Sequence, residues 1–398
     1  MSRPTSLLLW LAYLAFISLG LPDTVLGVAW PSLRDGFGIP PSAMGAVLGA
    51  GLVGYFASGL WAGHAVAKLG VGGLLAVSSA LVAAALLGYA LAPAWRLFFP
   101  MGLLMGFGSG AIDSGLNGYA ARHFSVRHVN WLHACWGVGA SAGPALMTCA
   151  IAEGFGYRSG YAALAAVLGV MSALFLLTRR RWDEPRPGAP DPRAAAAEHG
   201  LPLGYREVLA RGRVRLSIAT FFLYTGLEAS VGQWCFSWMR ERGALSVEAA
   251  GAWTSAYWAS LTGGRLVLGL VVDRFGPDRM LRCASLAALL GVAAFTSSGS
   301  ALGRAGLLLL GASLAPMFPT LMARTPARVG DDVVHHAVGL QVSAATLGST
   351  SMPALAGVLA TRWGLGAIAG LLLGLGVALL LSHELLLQLT TRRGRNAT

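Results

Sequence analysis

What this chain of 398 residues lacks most is charge. Asp, Glu, Lys and Arg make up 12% of it, about half of what a soluble domain carries. A soluble protein of this size could not clothe its surface with so few. Lysine is nearly absent, Lys68 being the only one, so the net charge of +12 is an arginine charge. The arginines fall in short clusters between apolar runs and not on one face or tail, which speaks against nucleic-acid binding. Cysteine is scarce as well. Cys135, Cys149, Cys235 and Cys283 all lie inside apolar runs without metal-ligand spacing, so neither a disulfide framework nor a metal site is offered. No nucleophile–base set appears. The glycine runs at 106–110 and 364–370 follow no strand and are no nucleotide loops. The chain is read as a non-enzyme that needs no cofactor.

What is there in abundance is apolar sequence. Hydrophobic residues make up 55%, and the mean hydropathy is +0.63. Crossing ~30 Å of hydrocarbon takes about 20 mostly apolar residues. Runs of that kind lie near 7–29, 43–66, 72–92, 95–118, 131–152 and 160–178. Six more lie near 213–238, 249–271, 279–298, 302–323, 334–359 and 363–389. The first mimics a signal peptide, but a counterpart recurs in the second half, so it is read as an uncleaved span. Arginine and lysine in the short loops set the orientation. With the N-terminus inside, twenty-one of them fall on the cytoplasmic side and seven on the other. Both termini are therefore placed in the cytoplasm, in the inner (plasma) membrane.

The two halves repeat. Gly139–Leu146 matches Gly348–Leu355 at an offset of 209. Gly63, Ala67, Lys68 and Gly70 match Gly269, Asp273, Arg274 and Gly276 at an offset of 206. Asp23 and Glu228 stand 205 apart. The expected architecture is an all-α membrane protein, a bundle of twelve transmembrane helices in two six-helix pseudo-repeats. Residues 1–178 form the first half, 179–212 a cytoplasmic linker rich in Pro, Ala and charge, and 213–398 the second half. A parallel repeat of six spans is one of the plans of secondary transporters.

The segment from Gly269 through Asp273, Arg274 and Gly276 to Arg279 resembles the signature loop of the major facilitator superfamily, and the resemblance extends over the whole chain. The first-half copy departs from it, with Ala67 in place of the acid. Within the superfamily the chain most resembles the fucose–proton symporters. The residues that carry this are Asp23 in the first span, Asp113 and Asn117 in the fourth, and Asn130, His133 and Trp136 in the fifth. In that family these spans carry an acid, an acid with Asn four residues on, and an Asn–Gln–Asn series. Here Asp113 replaces the usual Glu, His133 a Gln and Trp136 an Asn. The resemblance implies alternating access and uptake of a sugar or similar polar solute with protons.

Ionisable side chains in mid-membrane cost about 2.5–3.5 kcal/mol each on insertion scales and usually face a cavity or a partner. Asp113, Asp23, Glu228 and His133 are the candidates for proton coupling. Asn117, one turn from Asp113, joins Asn130, His133, Trp136 and Gln341, the near repeat partner of His133, as candidates for the solute. Asp113 with Asn117 has a plainer reading as a polar pair closing a helix contact, and His133 as a packing residue. Pro22 interrupts the first span beside Asp23, and broken helices at matching positions mark transporter sites. Asp273, Arg274 and Arg265 are assigned to gating, Arg265 by pairing with an acid. The partners are a small solute, protons with sodium as the alternative ion, and lipid. The chain is read as a monomer. The competing function is a drug–proton antiporter, because Gly139, Gly143 and Pro144 partly match the antiporter motif. Met147 and Thr148 stand where that motif has glycines.

Overall fold

The computed structural model describes residues 6–182, 205–297, 300–330 and 332–396. Most of the expected linker, and the side chains of Asn130 and Asp273, lie outside the described residues. The described residues form helices joined by short turns, with no strand among them. The first half runs α1 (Ser6–Asp23), α2 (Leu26–Phe37), a 3-10 turn (Pro41–Ala43), α3 (Met44–Leu91), α4 (Trp95–Phe98), α5 (Met101–His123), α6 (Val126–Ala152) and α7 (Gly156–Trp182). A short α8 (Tyr205–Ala210) leads into α9 (Gly212–Glu241), α10 (Val247–Phe275), α11 (Pro277–Thr296), α12 (Ala301–Leu314) and α13 (Met317–Ala323). Then come α14 (Thr325–Val329), α15 (Val334–Trp363) and α16 (Ala367–Asn396).

Nine segments among the described residues are long and apolar enough to cross a membrane. One of them, Pro41–Leu91, has 51 residues, about twice what a bilayer needs. It turns at Gly70, whose φ of +70° suits only glycine well, so α3 supplies two spans. The helices α9 and α10, of 30 and 29 residues, have the length but carry Glu228 and Arg265, which spoil their apolarity. Counted this way the described residues form twelve rods. Three are interrupted: the first between Asp23 and Leu26, the fourth at Phe99–Pro100, and the tenth at Ala315–Pro316. Glu228, by contrast, lies within an unbroken α9, because Leu227 stands where the first half has Pro22. The expected matching breaks are therefore found on one side only.

The repeat is written into the contacts. Gly276, the counterpart of Gly70, also has a positive φ, +88°, and makes the same turn between α10 and α11. A Cβ at Gly139 would run into the carbonyl of Ile17, and one at Gly348 into the carbonyl of Phe222. The first and fifth rods thus cross as closely as the seventh and eleventh. At both crossings a threonine ties the helices together: Thr24 Oγ1 donates to the carbonyl of Ala140 at 2.8 Å, Thr225 Oγ1 to that of Ala345 at 2.7 Å. Small residues let helices approach where lipid gives no hydrophobic drive between them.

Among the described residues the halves meet through α6 with α10, α2 with α9, and α3 and the 3-10 turn with α15. Glycine stands at these crossings too. A Cβ on Gly27 would strike the backbone of Gln233, and one on Gly357 the carbonyl of Pro41. At that end Arg34 pairs with Glu241 at 3.1 Å, and the Ser42 amide donates to Thr361 Oγ1 at 2.8 Å. This is the end away from α8, and it is closed. Toward the other end the halves diverge around a cavity of about 1630 Å³, lined as far as Arg127, Leu268, Pro277 and Arg324.

Candidate functional site

The cavity wall is built by both halves, and its polar groups form two clusters. The first belongs to the first half. Within α5, Ser109, Asp113 and Asn117 follow one another at one-turn intervals and so share a face. Asn117 Nδ2 donates to Asp113 Oδ1 at 2.8 Å, and Tyr55 Oη from α3 donates to Asp113 Oδ2, also at 2.8 Å. Asp113 and Ser109 line the lumen, whereas Asn117 stands behind the carboxylate and is not part of the lining. Ser109 Oγ is buried without a partner. Asp23, at the break between α1 and α2, is exposed to the lumen and accepts from Trp136 Nε1 at 3.0 Å. His133 lines the lumen as well, edge-on to Phe16 at 5.5 Å between ring centres.

The second cluster belongs to the second half. Glu228 accepts from Tyr224 Oη, one turn earlier on α9, and its Oε2 is 3.7 Å from Arg265 of α10. Tyr257 Oη donates to the backbone carbonyl of Glu228 at 3.0 Å. Arg265 therefore pairs with an acid, Glu228, inside the cavity. The two clusters touch through Trp136. The Arg265 guanidinium lies 5.8 Å from the centre of its ring, and Trp258 meets it edge-on at 6.2 Å.

Of the residues singled out in the sequence, the fold gathers Asp23, Asp113, His133, Trp136, Glu228 and Arg265 around one lumen. Gln341 is not among them. It is fully buried between helices, with Nε2 donating to Ser217 Oγ at 2.7 Å and Oε1 accepting from Thr325 at 3.0 Å. Its polar groups are used up in packing, and it does not line the cavity. Arg274 is exposed at the end of α10. Sequence reasoning overlooked Gln233, which lines the cavity and keeps a buried, unpartnered amide oxygen. A glutamine five residues after Glu228 in an apolar span was the available signal. Asp278 was also passed over. It holds Arg324 at 2.7 Å and the buried Arg328 at 3.2 Å at the open end of the second half.

Comparison with known proteins agrees with this architecture. A yeast protein, Bypass of stop codon protein 6 of Saccharomyces cerevisiae, is 24% identical over 381 residues, covering 88% of this chain and 76% of its own. A crystal structure of a D-xylose–proton symporter superposes with a TM-score of 0.78 at 14% identity, over 96% of this chain and 97% of that one. The fucose:proton symporter of E. coli superposes with a TM-score of 0.61 at 14% identity, over 96% and 99%. The family model described as Major Facilitator Superfamily matches residues 12–340 and again 236–397. The chain is a membrane transporter, not an enzyme, and belongs to the major facilitator superfamily.

Proposed function

We propose that this transporter imports a sugar or a similar polyhydroxylated solute together with protons, and that Asp113 is the coupling group. The fold is common to carriers of chemically unlike solutes, so the solute is argued from the lining. The observation that carries the reading is the setting of Asp113. Its carboxylate is held by Tyr55 and Asn117, neutral donors, and faces the lumen where a solute hydroxyl can reach it. Protonated, it donates a hydrogen bond to that hydroxyl; ionised, it cannot. Proton and solute then bind through one group, as symport requires. Ser109 and Gln233 add buried acceptors without partners, and Trp136 offers a ring face to sugar C–H groups. Asp23, Glu228 and His133 are the further proton candidates, and Asn130 stays a solute candidate from the sequence resemblance.

The halves 1–178 and 213–398 rock about this site, joined by the linker 179–212. Asp273 and Arg274 act in gating at the open end. The arrangement of the halves represents the state open to the cytoplasm, given the arginine bias that puts both termini inside the inner membrane. One chain supplies the whole cavity, and a monomer suffices. Asp113→Asn keeps size and hydrogen bonding but loses the proton. Reconstituted in liposomes and offered radiolabelled D-xylose or fucose, the variant is expected to lose pH-driven accumulation by about tenfold or more, roughly 1.4 kcal/mol, while counterflow exchange persists. Retained accumulation, with loss instead in a His133 variant, moves the coupling site to His133, whose unperturbed pKa is about 6.5. Failure of every sugar in counterflow, with proton-driven drug extrusion in its place, overturns the uptake reading.

A further inference from the structure

We infer that Trp136 is a positioning residue that carries the protonation state of Asp23 across the interface between the halves to the Arg265–Glu228 pair. The inference rests on the proton-coupled reading but not on the identity of the solute. Three observations converge on this one side chain. Its Nε1–H is given to Asp23 Oδ2 at 3.0 Å, a charge-assisted bond when Asp23 is ionised. Its ring faces the guanidinium of Arg265 at 5.8 Å, within the range of a cation–π contact. And it stands next to Gly137, whose Cα packs so tightly on Thr262 of α10 that a Cβ there would collide with that side chain. Trp136 thus lies where the fifth and eighth rods pack closely, with Trp258 and Arg265 of α10 on either side, seven residues apart.

The charged and titratable groups around it fall on both walls. From the first half, Asp23 on α1 is in contact, and Asp113, Tyr55 and His133 lie within electrostatic reach of Asp23 or of Arg265. From the second, Arg265 and Tyr257 of α10 and Glu228 and Tyr224 of α9 form one hydrogen-bonded and ionic set. No lysine or further arginine is needed to connect them. An ionised Asp23 pulls the indole N–H toward α1 and fixes the ring plane that Arg265 faces. A protonated Asp23 accepts that bond less strongly, because a neutral acceptor makes about half the bond a charged one does. The ring is then free to tilt. Arg265 loses its aromatic face and keeps only its second-half partners, Glu228 across a gap of 3.7 Å and Tyr224. One proton taken up on the first half thereby loosens a contact that belongs to the second half, at the crossing where the two must move.

The test needs no solute. Spin labels are placed on Lys68→Cys, at the exposed turn in α3, and on the native exposed Cys283 of α11, with the other three cysteines replaced. Distances between them across the open end are measured by electron paramagnetic resonance in nanodiscs from pH 5 to 8. With Trp136 present the distance distribution is expected to shift with pH. In Trp136→Phe, which keeps a ring for Arg265 but has no N–H, the shift should vanish as it does in Asp23→Asn. A benzothienylalanine placed at 136 keeps the shape of tryptophan without the donor and should behave as Phe, which covers a failure of Trp136→Phe to fold. A Trp136→Phe or benzothienylalanine protein that follows the parent pH response overturns the inference while leaving proton coupling intact. A parent protein with no pH response overturns both.

Discussion

Gln341 shows what a single residue can and cannot reveal. It occupies a position near the repeat of His133 and is a polar amide in an apolar span, which makes it look like a ligand. The fold instead satisfies its amide between Ser217 and Thr325. Leaving buried polar groups without partners costs about 1–3 kcal/mol. Gln341→Leu should therefore lower the melting temperature of the purified protein by several degrees, with the affinity for solute unchanged. A change in affinity without a change in melting would return Gln341 to the site. The reason for the misreading is physical. A span that is apolar all round carries no stripe to say which side faces the lumen. Asp113 and Asn117 were legible because four residues on one helix define a shared face by themselves. Tyr55, the other partner of Asp113, lies 58 residues away, and only tertiary packing brings it there.

At the scale of helices, the legible features were those with a covalent cause. Pro22 stands in the last turn of α1, just before the interruption of the first rod, and Gly70 and Gly276 make equivalent turns. What escaped was the use of glycine at the closed end, since a glycine in an apolar run does not name the helix it will touch. There Gly27 abuts Gln233, and Gly357 abuts Pro41. Arg34 and Glu241, joined at 3.1 Å across the first and seventh rods, are half-exposed, so the pair itself contributes about 0–1 kcal/mol. It latches little, and it marks the surfaces that must separate if the site is to face outward. With Arg34→Cys and Glu241→Cys joined by a short bis-maleimide, uptake should stop while solute still reaches the site from the open end. Full-rate uptake with the link formed would rule out rocking of the halves.

On the scale of the whole molecule, the proposed orientation rests on charge. The twenty-one-to-seven bias of basic residues is worth most in short loops, and it is the ground for the proposal that α8, both termini and the open mouth face the cytoplasm. A reporter that works only in the periplasm, fused after Arg393, should be silent, and one that works in the cytoplasm should be active. The reverse result would invert the molecule and turn the open mouth outward. The halves, though built on one plan, are not equal at this end. Asp278 gathers Arg324 and Arg328, and Arg282 is bound to Glu384, whereas the first half has Ala67 where its partner loop has an acid. Its turn carries instead the exposed Lys68, beside Gly70. That solitary ammonium gives the protein a chemical handle. With the N-terminal α-amine blocked, an amine-selective acylating dye, a resin or a surface linker would meet a single side chain in the whole sequence, on a tight turn at the rim of one half. Every molecule so tethered would hang from the same point and in the same direction, with its cavity at the same height above the support.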